Sequence, residues 1–312
     1  MLTGGCHVTS VRARALNSAY RYGFKSMFQR DLTLERLRST SQRLQRFSGR
    51  PPRGTTVIPV DLGSFRGEEI WPVAPPNRTI LYLPGGGFVL RTPAVHRALV
   101  GRLCRLADAR ALLVFYRLAP ENPFPAGLED CVTAYKHLLS SGTSAANIII
   151  GGDSAGGGLT LSTLLALRSR GIPLPAAAFT LSAVTDLRVH REGTRTSNDA
   201  ADSLLSFDVS EEWHTAYVGG DETLLSDPLV SPVLGDYTGL PPLLMQASTT
   251  EVLLDDTRLA AQRAGEAEVQ CTVQLFDGVA HVWHIVPQLP EARRALRKVS
   301  SFIRQHTPHG EE

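Results

Sequence analysis

The run Gly152-Asp153-Ser154-Ala155-Gly156 sets a serine between two glycines, where the apolar stretch "NIIIG" meets the helical pattern "SAGGGLTLSTLLALRS". A sharp strand-to-helix turn at that join presents Ser154 Oγ above the edge of a sheet. Glycine at 152 and 156 leaves room that a Cβ would crowd. The helix N-terminus adds positive potential and free N–H groups. A serine so placed can act as a nucleophile in acyl transfer; its other reading is a cap for the helix. Acyl transfer also needs donors aimed at the developing oxyanion. The N–H of Ala155 is one. Gly85-Gly86-Gly87, directly after the strand-like "TILYL", offers others, with Gly86 and Gly87 as the candidates and Pro84 holding Leu83 extended. A plain glycine turn or a phosphate loop are the alternatives. The run lacks GxGxxG spacing, and no Walker Gly-Lys-Ser/Thr occurs.

A nucleophilic serine needs a base and an acid to orient that base. The segment "DGVAHVWHI" holds His281 and His284. The residues alone separate them poorly; His281, nearer the Asp277-Gly278 turn, is preferred. For the acid, Glu251 comes first after the strand-like "LLMQAS". Asp255 and Asp256 fall in an opening helix turn, where a carboxylate is favourable anyway. Asp277 precedes the base closely and has less reach.

These residues must be positioned by regular elements. Dense apolar runs at 79–83, 111–117, 147–153, near 180, at 241–248 and at 269–276 read as buried strands, with helical patterns following at 94–107, 125–140 and 154–169. Continuously apolar strands alternating with helices predict an α/β fold, a mostly parallel sheet covered on both faces. Residues 55–76 suggest a hairpin ahead of it. Residues 11–48 read as two helical pieces. Residues 187–225 break the rhythm as a polar insertion carrying Phe207, Trp213 and Tyr217, a candidate lid or cap. The expected division is an N-terminal helical segment over 1–50, one part of the core over 51–186, a cap insertion over 187–225 and the rest of the core over 226–312.

Composition excludes several classes. With 43% hydrophobic and 20% charged residues, the 312-residue chain is globular, and a net charge of +2 argues against nucleic-acid binding. Residues 1–50 carry ten Lys/Arg against Asp31 and Glu35, read as a solvated helical face ahead of a membrane-surface or partner-binding one. The scattered Cys6, Cys104, Cys131 and Cys271 read as free thiols. The sequence shows no apolar signal core, no run approaching the roughly 18–20 apolar residues of a membrane span, and no His/Cys cluster with zinc spacing. The expectation is a cytoplasmic protein without stable membrane insertion, metal or cofactor.

Taken in order, "YLPGGGFV", "VFYRLAPENPFPAGLEDC", "GGDSAGGGL", "EVLLDD" and "DGVAHVW" resemble the hormone-sensitive-lipase-type branch of the α/β hydrolases, which includes bacterial carboxylesterases. The resemblance spans residues 79–300. It implies an α/β-hydrolase fold with a helical cap, built from the N-terminus and the stretch after the strand near 180. It implies Ser154 as nucleophile, His281 as base, Gly86, Gly87 and Ala155 as oxyanion donors, and Glu251 where the family more often has Asp. Asp186 falls in a structural stretch. Pro84 departs from the family's usual His before the glycines, so altered loop geometry or substrate preference is expected. The implied function is a serine carboxylesterase for small to medium, mostly apolar esters, working through an acyl-enzyme without cofactor. A lactone hydrolase of the same mechanism is the nearest alternative. A non-catalytic small-molecule binding protein on the same fold, or a weak enzyme with a misplaced oxyanion loop, are the others. A homodimer is also open.

Overall fold

The structure, a computed structural model, describes residues 9–25, 33–45, 50–72, 77–188 and 192–307. Its centre is an eight-stranded sheet in the order β1-β2-β4-β3-β5-β6-β7-β8. The hairpin of β1 (Thr56–Asp61) and β2 (Arg66–Trp71) joins antiparallel to β4 (Ala109–Phe115). The remaining pairs, through β3 (Arg78–Leu83), β5 (Ile148–Asp153), β6 (Ala177–Leu181), β7 (Leu243–Ser248) and β8 (Cys271–Phe276), are parallel.

Every residue of β3, β5, β6 and β7 is buried, as expected for strands covered on both faces, whereas the edge strand β1 alternates between exposed and half-buried residues. Side chains alternate between two cores. Leu81, Leu83, Ile148 and Ile150 pack under α4 (Ala126–Ser140) and α5 (Ala155–Ser169). Ile80, Tyr82, Ile149 and Phe179 face the other way, onto α3 (Pro93–Ala107) and α9 (Pro290–His306). Helix α8 (Leu254–Glu266) links β7 to β8.

The N-terminal helices are α1 (Val11–Ala19), capped by Ser10 and continued by a π-helical turn (Tyr20–Lys25), and α2 (Leu34–Leu44), capped by Thr33. Arg12, Arg14, Arg36 and Arg43 are exposed, so much of the basic surplus is a solvated face. Arg38, half-buried and paired with Glu121, and Lys25 depart from this. Lys25 is buried and its Nζ donates to the carbonyls of Asp199 and Asp202, tying the N-terminal segment to the insertion between β6 and β7. That insertion carries α6 (Thr194–Ser197) and α7 (Phe207–Tyr217) and forms a helical cap over the carboxyl ends of the strands. Asn17 Nδ2 and Thr9 Oγ1 also donate to the carbonyls of Gly278 and Asp277, ahead of His281.

Cys104 and Cys131 are free thiols; Cys6, Asp31 and residues 73–76 lie outside the described residues. Among the described residues no helix is long and apolar enough to cross a membrane.

Candidate active site

Ser154 sits between β5 and α5 with φ 52° and ψ −122°, a conformation rare for a residue with a Cβ. The flanking glycines permit it. A Cβ on Gly152 would collide with the carbonyls of Gly156 and Leu83, and one on Gly156 with the backbone of Leu83 and Pro84. The N–H of Ser154 is anchored to Leu181 O at 2.9 Å, which fixes the turn to the neighbouring strand.

His281 lies in the loop after β8, 4% exposed. Its Nε2 is 2.9 Å from Ser154 Oγ and its Nδ1 is 2.8 Å from Glu251 Oε2. A carboxylate only accepts, so Nδ1 carries the hydrogen and Nε2 is free to accept from the serine hydroxyl. Glu251, 1% exposed, stands in the loop after β7. The N–H of Ser248 donates to its second oxygen, Oε1, at 2.8 Å, and so orients the carboxylate. Burial works against the imidazolium, but the hydrogen bond and charge of Glu251, with Asp202 and Asp153 adding, outweigh it, and the pKa of His281 lies above its ordinary value. Burial likewise pushes Glu251 up, against the pull of His281.

The other candidates have other partners. His284 is buried against Trp283 with Nε2 2.9 Å from Gln246 Oε1, and burial drops its pKa to about 3, so it is a neutral core residue. Asp256 accepts the N–H groups of Thr185 and Asp186 at 2.8 and 3.0 Å and pairs with Arg195. Asp255 accepts from the N–H of Thr194. Asp186 pairs with Arg188.

Gly85, Gly86 and Gly87 line a cavity of about 170 Å³ together with Ser154 and His281. Gly86 and Gly87 have φ of 134° and 59°, which favours glycine. Among the described residues the N–H groups of Gly86, Gly87 and Ala155 have no acceptor. Ala155 is buried and Gly86 and Gly87 are half-buried, so three donors beside the serine are open to an external acceptor. Much of the remaining wall is apolar, with Leu90, Val95 and Ile285 from the core and Leu204, Leu205 and Trp213 from the cap, and Thr92, His96, Asp153 and Ser206 are its polar members. Among the described residues no cluster of His, Cys, Asp and Glu is arranged to hold a metal.

Three participants escaped the sequence reading. Trp213 packs on Gly87. Asp153 accepts from Tyr82 Oη, the N–H of Gly85 and His96 Nε2. His96 shares the cavity wall. Asp153 stood inside the quoted motif as a charged residue among apolar neighbours, a usable signal; nothing in the spacing of His96 or Trp213 pointed to the serine.

A sequence profile described as α/β hydrolase fold matches residues 80–285. An acetyl-hydrolase of Streptomyces hygroscopicus is 41% identical over 253 residues, covering 80% of this chain and 83% of that protein. The crystal structure of an esterase from the bacterial hormone-sensitive lipase family superposes with a TM-score of 0.88 at 33% identity, covering 96% of this chain and 100% of that one. That of EstE5 soaked with p-nitrophenyl butyrate superposes with a TM-score of 0.86 at 32% identity, covering 95% and 99%.

Proposed function

The chain belongs to the bacterial hormone-sensitive-lipase branch of the α/β hydrolases and is a serine ester hydrolase for small apolar esters, and from that premise we propose a role for each residue of its site. Ser154 is the nucleophile. As its Oγ attacks the ester carbonyl, His281 Nε2 takes the proton while Glu251 stays ionised and holds Nδ1–H. The N–H groups of Gly86, Gly87 and Ala155 receive the tetrahedral oxyanion; losing one such donor typically costs about 3–4 kcal/mol in the transition state. His281 then returns the proton to the leaving alcohol and activates water for deacylation.

The observation that carries this reading is one unbroken hydrogen-bond line, Ser154–His281–Glu251, opening onto a cavity edged by unpaired N–H groups. Pro84 does not undo the loop. Tyr116 Oη donates to Pro84 O at 2.8 Å and Asp153 holds the N–H of Gly85, so the glycines are fixed without a side-chain donor at 84. The cavity of about 170 Å³ is small beside typical drug-sized pockets, which favours short acyl groups such as the acetyl and butyryl groups named for the two relatives above. In this reading residues 1–50 and 187–225 make the cap, and 51–186 and 226–312 the two parts of the core.

The test is hydrolysis of p-nitrophenyl esters of increasing acyl length, with a lactone panel alongside, for the wild type, Ser154→Ala and Glu251→Ala. Short esters should be preferred, Ser154→Ala should abolish turnover, and an organophosphate should label Ser154 covalently. Turnover surviving in Ser154→Ala would sink the nucleophile assignment. Absence of labelling would return the binding-protein alternative.

A further inference from the structure

Asp153 is a carboxylate 4% exposed, one residue before the proposed nucleophile, and it reaches the cavity wall. Its Oδ1 accepts from Tyr82 Oη at 2.8 Å and from the N–H of Gly85 at 3.1 Å, where the glycine loop leaves β3. His96, 3% exposed on the first turn of α3, places Nε2 3.3 Å from Asp153 Oδ2. Its Nδ1 lies 3.0 Å from the carbonyl oxygen of Thr92. The Thr92 hydroxyl oxygen lies 3.1 Å from the same Nδ1. A carboxylate only accepts, so Nε2 carries a hydrogen toward Asp153, and the Thr92 carbonyl offers an acceptor for a second hydrogen on Nδ1. The site thus accommodates an imidazolium facing a carboxylate.

The arrangement has a consequence for catalysis. A bare carboxylate at the cavity wall would oppose the negative charge that grows on the substrate carbonyl, and in a water-poor site the penalty would be large. We propose that His96 is a positioning residue for ester hydrolysis: it holds Asp153 on the N–H of Gly85, so setting the oxyanion loop, and cancels the carboxylate's charge beside the developing oxyanion. Pro84 offers neither an N–H nor a side-chain donor, which leaves this end of the loop to Asp153 and to Tyr116 on the carbonyl of Pro84. The charge states agree with the geometry. Burial opposes ionisation of both groups, yet their mutual attraction raises the pKa of His96 and lowers that of Asp153. The proposal rests on the roles given above to Ser154 and the glycine N–H groups.

The experiment uses the full chain with p-nitrophenyl acetate, active sites counted by organophosphate titration, and a trifluoromethyl ketone as a probe that forms a tetrahedral adduct on the serine. Variants are His96→Leu, His96→Gln, Asp153→Asn and the double variant His96→Leu with Asp153→Asn. Per titrated site, His96→Leu should lower kcat by roughly 10–100-fold, short of losing a direct oxyanion donor. Its KM should stay within about threefold, and ketone affinity should weaken in step with kcat. His96→Gln, which can donate to Asp153 without the charge, should recover part of the loss. In the Asp153→Asn background, where no carboxylate needs cancelling, His96→Leu should add little. An unchanged kcat per titrated site in His96→Leu, with only a lowered Tm, would make His96 structural and overturn the proposal. Independent, multiplying losses in the double variant would overturn it too. If His96→Leu does not fold, His96→Gln against Asp153→Asn carries the same comparison: kcat per titrated site in His96→Gln should fall while KM holds, and an unchanged value would overturn the proposal. Turnover surviving in Ser154→Ala would strike the underlying nucleophile reading instead, and is read separately.

Discussion

The indole of Trp213, on the cap helix α7, occupies the space that any side chain at Gly87 would need. The cap is thus seated directly on the proposed oxyanion loop, and one residue both bounds the cavity and packs on Gly87.

Two substitutions separate these effects. Trp213→Ala should enlarge the cavity and shift the preferred p-nitrophenyl ester toward longer acyl chains, with a modest loss on acetate. Gly87→Ala should lower kcat on every chain length by roughly 100-fold or more, because φ of 59° and the clash with Trp213 both move the donor. Acyl-chain profiles of the two variants check this; an unaltered profile in Trp213→Ala would remove the residue from substrate selection.

Glu251 spans two donors, His281 Nδ1 and the N–H of Ser248, each at 2.8 Å. Aspartate is one methylene shorter and from this backbone position cannot satisfy both. Glu251→Asp should cut kcat/KM about 10–100-fold, and Glu251→Gln more, because an amide does not stabilise the imidazolium that forms. Steady-state kinetics decide, with Ser154 labelling rates as the second readout.

The pH profile follows from His281. The base works neutral, and its pKa is raised above the ordinary 6.5 because the hydrogen bond and charge of Glu251 outweigh burial. The acid limb of kcat/KM should therefore sit above pH 6.5: activity is full above the raised pKa and falls tenfold per pH unit below it. Glu251→Gln removes the raising charge, so whatever activity remains should show its limb displaced to lower pH.

Asp256 carries a stability prediction. It accepts two backbone N–H groups just after β6 and pairs with Arg195 of the cap, and both residues are buried. Asp256→Ala removes the carboxylate from this buried pair and leaves the N–H groups of Thr185 and Asp186 without their acceptor, so it should destabilise the fold by about 2–4 kcal/mol. Urea denaturation of wild type and variant measures it. A loss below about 1 kcal/mol would mean that water already screens the pair.

Much of the fold was written locally. Apolar runs such as "TILYL" and "NIIIGGD" need cover on both faces, and their alternation with helical patterns leaves few arrangements other than a parallel sheet. The turn at Ser154 was legible because its geometry depends on near neighbours: Gly152 and Gly156 stand within two residues of the serine. The three glycines after β3 were legible for the same reason.

What remained was the direction of side chains above the sheet. His281 and His284 are three residues apart in one loop, yet the first turns to Ser154 and the second into the core beside Gln246 and Trp283. Glu251, Asp255 and Asp256 share one short segment, and only the first faces the histidine. The serine and its base are 127 residues apart, and His96 and Asp153 are 57 apart. The sequence by itself determined that a sharp serine turn and a glycine loop would each follow a buried strand, because backbone conformation follows residue type at close range. It also ranked His281 and Glu251 first, but only the tertiary structure decided that both would reach Ser154 and that His96 would meet Asp153, because those contacts depend on how distant segments pack.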